Sequence, residues 1–335
     1  PMSPSGLPFD DIRALAAMLP PADAGAMAAV RARNARLAKR PGSLGRLEQI
    51  AEWLAGWQGR EVPAVTRPLT ALFAGAHGVA ADGVSSRPPG ETAARMATAA
   101  AGGAAVNQIC ASVDCGLKVF ELALQVPSGN VVREAALDER DCAATVAFGM
   151  EAVSGGTDLL CLGDIGVGST TVAAAILTAL FGGAPEDWLA GDATGRSAKA
   201  DAVRRALAVH RDGLADPLEV LRRLGGRDVA ALVGALLAAR IQRIPVVLDG
   251  IVTLAAAAVL YRLDAGAIDH CMAAHDTGEP AQRKALAALK LTPLMALGIT
   301  LGEGAGAALS VSLIRAAAAC HAEMALADDP AGTLN

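Results

Sequence analysis

The chain has 335 residues, 53% of them hydrophobic but only 3% aromatic, and a formal net charge of −5. That length holds one large α/β domain, or a large domain with a smaller one. The acidic balance argues against general affinity for nucleic acid or for an anionic membrane.

With so few aromatic rings, the core must be packed from Ala, Val, Leu and Ile, which suits helices lying close on a sheet. Phe9–Leu19 and Pro21–Ala38 read as helices, the second ending in a basic run (Arg31, Arg33, Arg36, Lys39, Arg40) that reads as a solvated face. Pro41-Gly-Ser-Leu-Gly45 breaks the pattern. Arg46–Trp57 resumes it, with Leu47, Ile50 and Leu54 on one face.

From about Pro68 the texture changes to alternating strands and helices. Leu69–Ala74 predicts a strand, Glu91–Ala105 a helix, Ile109–Val113 a strand, Asp138–Val153 a helix and Asp158–Leu162 a strand. Val172–Leu180, Ala198–Val209 and Asp228–Arg240 predict helices, Ile244–Leu248 a strand and Thr253–Leu263 a helix. Ala267–Met272 is expected as the last strand, and Ala305–Ala325 as a closing helix. The alternation implies a parallel sheet with right-handed crossovers. Gly- and Asp-rich segments recur just after the strands, at the end where such sheets bind ligands.

Six cysteines show no CxxC or other metal spacing, and several sit in apolar runs. They read as buried free thiols of a reducing cytoplasm. Ile165–Pro185 carries no charge, but its four glycines and four hydroxyl residues make it a buried helix rather than a membrane span. The opening Pro1-Met-Ser-Pro-Ser-Gly6 lacks the basic and apolar regions of a signal peptide.

The most informative stretch is Asp158-Leu-Leu-Cys-Leu-Gly-Asp-Ile-Gly-Val-Gly-Ser-Thr-Thr171, an apolar strand running into glycines and then a helix. That order builds an anion site at a helix N-terminus. Gly163, Gly166 and Gly168 would let backbone N–H groups approach a ligand. Ser169, Thr170 and Thr171 would cap the helix and donate hydroxyl hydrogen bonds. A plain βα turn is the alternative. Glu303, among glycines in Leu301-Gly-Glu-Gly-Ala-Gly306, reads either as a helix-start glutamate favoured by the dipole or as a general base in a partly apolar setting.

Lys199 is either an exposed first-turn lysine or a point charge for a phosphate. Thr277 and Gly278 follow a strand and would add a hydroxyl and an N–H. His77 and His275 follow strands and would line the same cleft. Neither has a metal-spaced partner, so no metal site and no cofactor are expected, and no GxSxG elbow points to a hydrolytic triad.

Taken in order, several segments resemble the nicotinate-nucleotide:dimethylbenzimidazole phosphoribosyltransferase family. They are Arg40-Pro-Gly-Ser-Leu-Gly-Arg-Leu-Glu48, Phe73-Ala-Gly-Ala-His-Gly-Val79 with Gly83-Val-Ser85, and Gly102-Gly-Ala-Ala-Val-Asn107. Gly163–Thr171, Pro245-Val-Val-Leu-Asp-Gly250 and Leu301–Gly306 complete the set. The resemblance implies a Rossmann-like parallel sheet flanked by helices (residues 61–305), with a small helical domain from segments 1–60 and 306–335. It implies a homodimer that moves phosphoribose from nicotinate mononucleotide to a benzimidazole nitrogen. Glu303 matches the general base. Asp164, Gly166, Gly168, Ser169, Thr170, Lys199, Thr277 and Gly278 match the nucleotide side, and Ser85, Arg87, Pro88 and Leu301 the acceptor side.

The sequence departs from the family pattern at Ala76, at Asp164 (usually Glu), at Ser169 (usually Asn) and through Thr277-Gly-Glu-Pro-Ala-Gln282. Arg87-Pro88-Pro89 stands where an aromatic residue, Pro and Gln are usual. These changes leave open a different acceptor, a phenol or a purine, or a nucleotide-binding protein without turnover.

Overall fold

The structure, a computed structural model, describes residues 8–191 and 195–328. The reading of the first six residues falls outside that range. Three helices open the chain: α1 (Pro8–Ala16), α2 (Ala24–Arg36) and α3 (Arg46–Gln58). Strand β1 (Pro68–Ala74) is followed by α4 (Glu91–Ala100), α5 (Ala105–Ser112), β2 (Gly116–Glu121), α6 (Glu139–Met150) and β3 (Leu159–Ile165). Then come α7 (Ser169–Phe181), α8 (Arg196–His210), α9 (Pro217–Leu224), α10 (Arg227–Ile241), β4 (Val246–Leu248) and α11 (Gly250–Leu263). The chain ends with β5 (Cys271–His275), α12 (Pro280–Ala288), β6 (Pro293–Met295) and α13 (Ala305–Glu323).

The strands form one parallel sheet in the order β2-β1-β3-β4-β5-β6. The order reverses between β1 and β3, so the loops leaving their C-terminal ends diverge and open a crevice. Strand residues alternate between two cores. Ala71, Phe73, Leu160, Leu162, Val246 and Leu248 face the layer of α6, α7, α10 and α11. Leu72, Ala74, Leu159, Cys161 and Val247 face the layer of α3, α5 and α13. This two-residue period, buried on both faces, is what a central parallel strand requires.

The shortage of aromatic rings is met by close helix packing. A Cβ on Gly234 would collide with the Val146 carbonyl, and one on Gly149 with Ala231, so α6 and α10 touch backbone to backbone. Asp23 and Asp138 cap α2 and α6 by accepting from Ala26 and Asp141 N–H. Helix α13 is long and apolar enough to cross a membrane, but it lies on the sheet and against α3. Helix α7, in the uncharged stretch, is a buried core helix.

Three sequence expectations are corrected. Residues 109–113 are not a strand. Gly102, at φ +86°, ends the preceding helix early, and Ala104 N–H donates to Asn107 Oδ1 to start α5. The true neighbour, β2, is a half-exposed edge strand carrying Lys118 and Glu121, so its apolar signal is weak. Residues 265–268 form a 3₁₀ turn ahead of β5, and β6, only three residues long, follows it at the other edge. Finally, β3 extends through Ile165, so Gly163 belongs to the strand and not to the ligand loop.

Candidate active site

At the C-terminal edge of the sheet lies a cleft of about 540 Å³. One wall is the turn from β3 into α7. Gly168, at φ +94°, turns the chain, the Ser169 hydroxyl donates to the Gly166 carbonyl (2.8 Å), and α7 begins at Ser169. The cap is therefore Gly168 itself, with no side-chain capping bond, and Thr171 is buried within the helix. Lys199, buried on α8, reaches this turn: its Nζ donates to the Ala190 carbonyl (3.0 Å) and lies 3.4 Å from Thr170 Oγ1. A cation, a threonine hydroxyl and a helix N-terminus thus converge, which is the chemistry that holds a phosphate.

The opposite wall is the loop from β6 to α13. Gly298, Gly302, Glu303 and Gly304 all have positive φ there, and Glu303 itself sits at +59°. A non-glycine residue in that region is held against its own steric preference, and such residues concentrate at functional sites. Gly163 explains how the loop gets so close. A Cβ there would collide with Gly304 N, so the missing side chain lets the Glu303–Gly304 backbone lie directly on β3. This is a correction, since the glycine makes room for the Glu303–Gly304 backbone rather than for a ligand.

Glu303 is 7% exposed and faces the cleft. Its Oε1 accepts two hydrogen bonds from Arg95, from Nε at 2.9 Å and from a terminal nitrogen at 2.6 Å. Both donors sit on Oε1, and Oε2 accepts no hydrogen bond among the described residues. The partly apolar setting expected for Glu303 is corrected, because the nearby Leu297 and Leu301 are exposed and the carboxylate's neighbour is a guanidinium.

Helix α4 braces both walls. Thr92 Oγ1 accepts from Val167 N–H in the turn from β3 into α7 (2.9 Å), while Arg95, one helical turn on, holds Glu303. Neither residue carried a local signal. They read as one helix, and their partners lie 75 and 208 residues away.

Asp164, partly exposed at the end of β3, lines the floor. Burial, and then the Asp228 carboxylate, push its carboxyl up to about 7 against the opposing pull of Ser169, Arg95 and His77. Ser85, Arg87, Gly166, Gly168, Ser169, Thr170, Thr277 and Leu301 also line the cleft. The Ser85 hydroxyl accepts from Arg87 N–H (3.1 Å), and the Arg87 guanidinium pairs with Glu91 at 2.5 Å. Thr277 Oγ1 is 2.9 Å from Gln282 Oε1.

Four expected site residues stand elsewhere. Gly278 lies outside the lining and donates its N–H to Asp276 Oδ1 at 2.8 Å, in a tight local turn. Pro88 is exposed and also outside the lining, its carbonyl accepting from Glu91 N–H at the start of α4. His77 and His275 are buried one layer below the cleft, each beside a buried carboxylate: His77 Nε2 is 2.9 Å from Asp228 Oδ2, and His275 Nδ1 is 3.3 Å from Asp249 Oδ1.

The doubly wound sheet and this cleft define a nucleotide-using α/β enzyme. The phosphoribosyltransferase family profile matches residues 19–331. A nicotinate-nucleotide–dimethylbenzimidazole phosphoribosyltransferase from Sinorhizobium fredii (strain NBRC 101917 / NGR234) is 57% identical over 97% of each chain. The protein of that name from Brucella suis biovar 1 (strain 1330) is also 57% identical over 97% of each chain. The crystal structure of the enzyme of that name from Thermus thermophilus superposes with a TM-score of 0.87 at 35% identity, covering 93% of this chain and all of that one. The chain belongs to the nicotinate-nucleotide–dimethylbenzimidazole phosphoribosyltransferase family.

Proposed function

We propose that the chain transfers phosphoribose from nicotinate mononucleotide to dimethylbenzimidazole, releasing nicotinate and forming α-ribazole 5′-phosphate for cobalamin lower-ligand assembly. The observation that carries this reading is the pairing, across one cleft, of the Lys199–Thr170 turn with the Glu303 carboxylate. The turn at Gly166–Thr170 and Lys199 hold the 5′-phosphate, with Asp164 and Thr277 completing the nucleotide side. Ser85, Arg87 and Leu301 border the acceptor.

The acceptor's unprotonated ring nitrogen attacks C1′ of the β-nucleotide from the face opposite nicotinate. The C1′–nicotinate bond breaks, and its electron pair neutralises the pyridinium. Inversion gives the α-riboside. Glu303 takes the proton from the acceptor's N–H nitrogen through Oε2, since Arg95 occupies Oε1. Holding both substrates in line is worth several kcal/mol, on the order of 7–11 in favourable cases.

Assembly as a homodimer belongs to the same proposal and rests on the family resemblance. A small helical domain from the two ends of the chain is supported by the packing of α2 on α3 and of α3 on α13. A cytoplasmic location suits six free cysteines, five of them buried. The test is nicotinate release from nicotinate mononucleotide with and without dimethylbenzimidazole. Release that depends on the acceptor, with a new riboside of α configuration, is expected. Release that ignores the acceptor would make the protein a hydrolase and end the proposal.

A further inference from the structure

The loop that carries Glu303 is tied down by a buried histidine–carboxylate pair, of which Asp249 lines the cleft and His275 does not. His275, the last residue of β5, has a side chain 1% exposed. Its Nε2 lies 2.6 Å from the carbonyl oxygen of Ile299, four residues before Glu303. Its Nδ1 lies 3.3 Å from Asp249 Oδ1, just past the end of β4, and neither atom has a hydrogen-bond partner among the described residues. The other oxygen, Asp249 Oδ2, accepts from Gly306 N–H at 3.0 Å, three residues after Glu303. Gly306 must be glycine, because a Cβ there would collide with the His275 ring. One buried pair therefore grips the base loop on both sides of Glu303.

The chemistry of the contacts sets the number of protons. A carbonyl oxygen can only accept, so Nε2 must carry hydrogen. Nδ1 and Oδ1, both without another partner, are the two atoms that a second ring proton would join, because a carboxylate oxygen can accept it. A neutral imidazole would leave two lone pairs facing each other at 3.3 Å in a buried place. The charges that bear on the ring are Asp249 from β4 and Asp276 from the turn after β5. Burial alone disfavours the charged ring, but Asp249, the Ile299 carbonyl and Asp276 outweigh it and hold the histidine above its usual value.

We propose that His275 and Asp249 are positioning residues for Glu303, and that the doubly protonated His275 clamps the base loop. Removal of the Nδ1 proton loosens the clamp and withdraws Glu303 from the acceptor. This role rests on Glu303 being the base, as proposed above. It predicts that the alkaline fall of kcat tracks the titration of a group outside the cleft lining.

Histidine-selective ¹⁵N NMR of the full-length enzyme reads the proton count without substrate. At pH 7 both His275 nitrogens are expected at imidazolium shifts, identified by their loss in His275→Gln. A neutral tautomer at pH 7 overturns the proposal. Should that variant not fold, Asp249→Asn provides the second reading. The histidine signal it perturbs should titrate at lower pH than in the wild type, and an unchanged midpoint overturns the pairing.

In turnover, His275→Gln should lower kcat on the order of ten- to a hundredfold and lack the alkaline limb, with KM for nicotinate mononucleotide within about twofold. An alkaline limb that persists in the variant overturns the clamp. An imidazolium His275 in a protein that fails to use dimethylbenzimidazole would support the pair and count against the assigned reaction.

Discussion

The wall proposed to hold the donor and the wall proposed to carry the base each rest on a buried histidine–carboxylate pair, but the two are wired differently. Under the donor turn, His77 gives one nitrogen to Asp228, and its Nδ1 meets no partner among the described residues. A Cβ on Gly166 would lie 3.1 Å from His77 Nε2, so the pair supports the turn directly from below. Either protonation state keeps the His77–Asp228 contact. Under the Glu303 wall, His275 spends Nε2 on the Ile299 carbonyl, and its Nδ1 lies 3.3 Å from Asp249, whose other oxygen holds Gly306. The wall at the turn from β3 into α7 is made mostly by one continuous stretch. The base wall is assembled from residues 95, 249, 275, 299 and 306, and holds one residue at an unfavourable φ.

That contrast predicts different kinetic signatures for the two walls. Glu303→Gln removes the proton acceptor while keeping shape and the Arg95 contact. It should cut kcat by about 10² to 10⁴ and leave KM for nicotinate mononucleotide within about twofold, measured by steady-state and single-turnover assays. Near-normal single-turnover rates would remove Glu303 as the base. Lys199→Met should do the reverse. Loss of a charge-assisted contact to phosphate costs about 1.5–3 kcal/mol, so KM for the nucleotide should rise about ten- to a hundredfold with kcat little changed. If Lys199→Met lowers kcat alone, the division of labour between the walls fails.

The difference also explains what could be read from the chain beforehand. The donor turn was legible because strand, glycines and helix follow one another and each needs only its neighbours. Glu303 was legible as a carboxylate among glycines, but its setting was not, since Arg95 is just one position in an ordinary helix until the fold brings α4 across the cleft. Gly163 was placed correctly near the site and given the wrong job, because only the tertiary crossing shows that Gly304 fills its space. The edge strand β2 was misplaced for a related reason. Half-exposed and polar on one side, it lacks the apolar run that marks the buried strands.

Asp164 sits where the two walls meet, and its titration offers a smaller test. Its folded value, about 7, lies above its ordinary 3.8, so the folded protein holds an extra proton between those limits. Stability should therefore fall as pH rises from about 4 to about 7 and level off above. Above 7 the ionised carboxylate also faces the nucleotide's phosphate, and KM should climb severalfold between pH 6 and 8. Asp164→Asn stays neutral and should flatten both curves. A KM rise that survives in this variant would assign the effect to another group.

The smallest expected effect concerns acceptor choice, at the mouth of the cleft. Arg87 lines it with half of its side chain exposed and its guanidinium on Glu91. A flat cation in that position can lie against an aromatic acceptor for about 0.5–1 kcal/mol, whereas a tyrosine ring would stack on it and favour a different outline. Arg87→Tyr should therefore reorder benzimidazole, dimethylbenzimidazole and phenolic acceptors by a few-fold in kcat/KM without moving KM for the nucleotide. Because Glu91 already shares the guanidinium, Glu91→Gln should shift the ranking in the same assay by less. An unchanged ranking in both variants would move acceptor selection inward to Leu301 and Ile299, onto the loop that His275 holds, and would make the base wall responsible for both chemistry and choice.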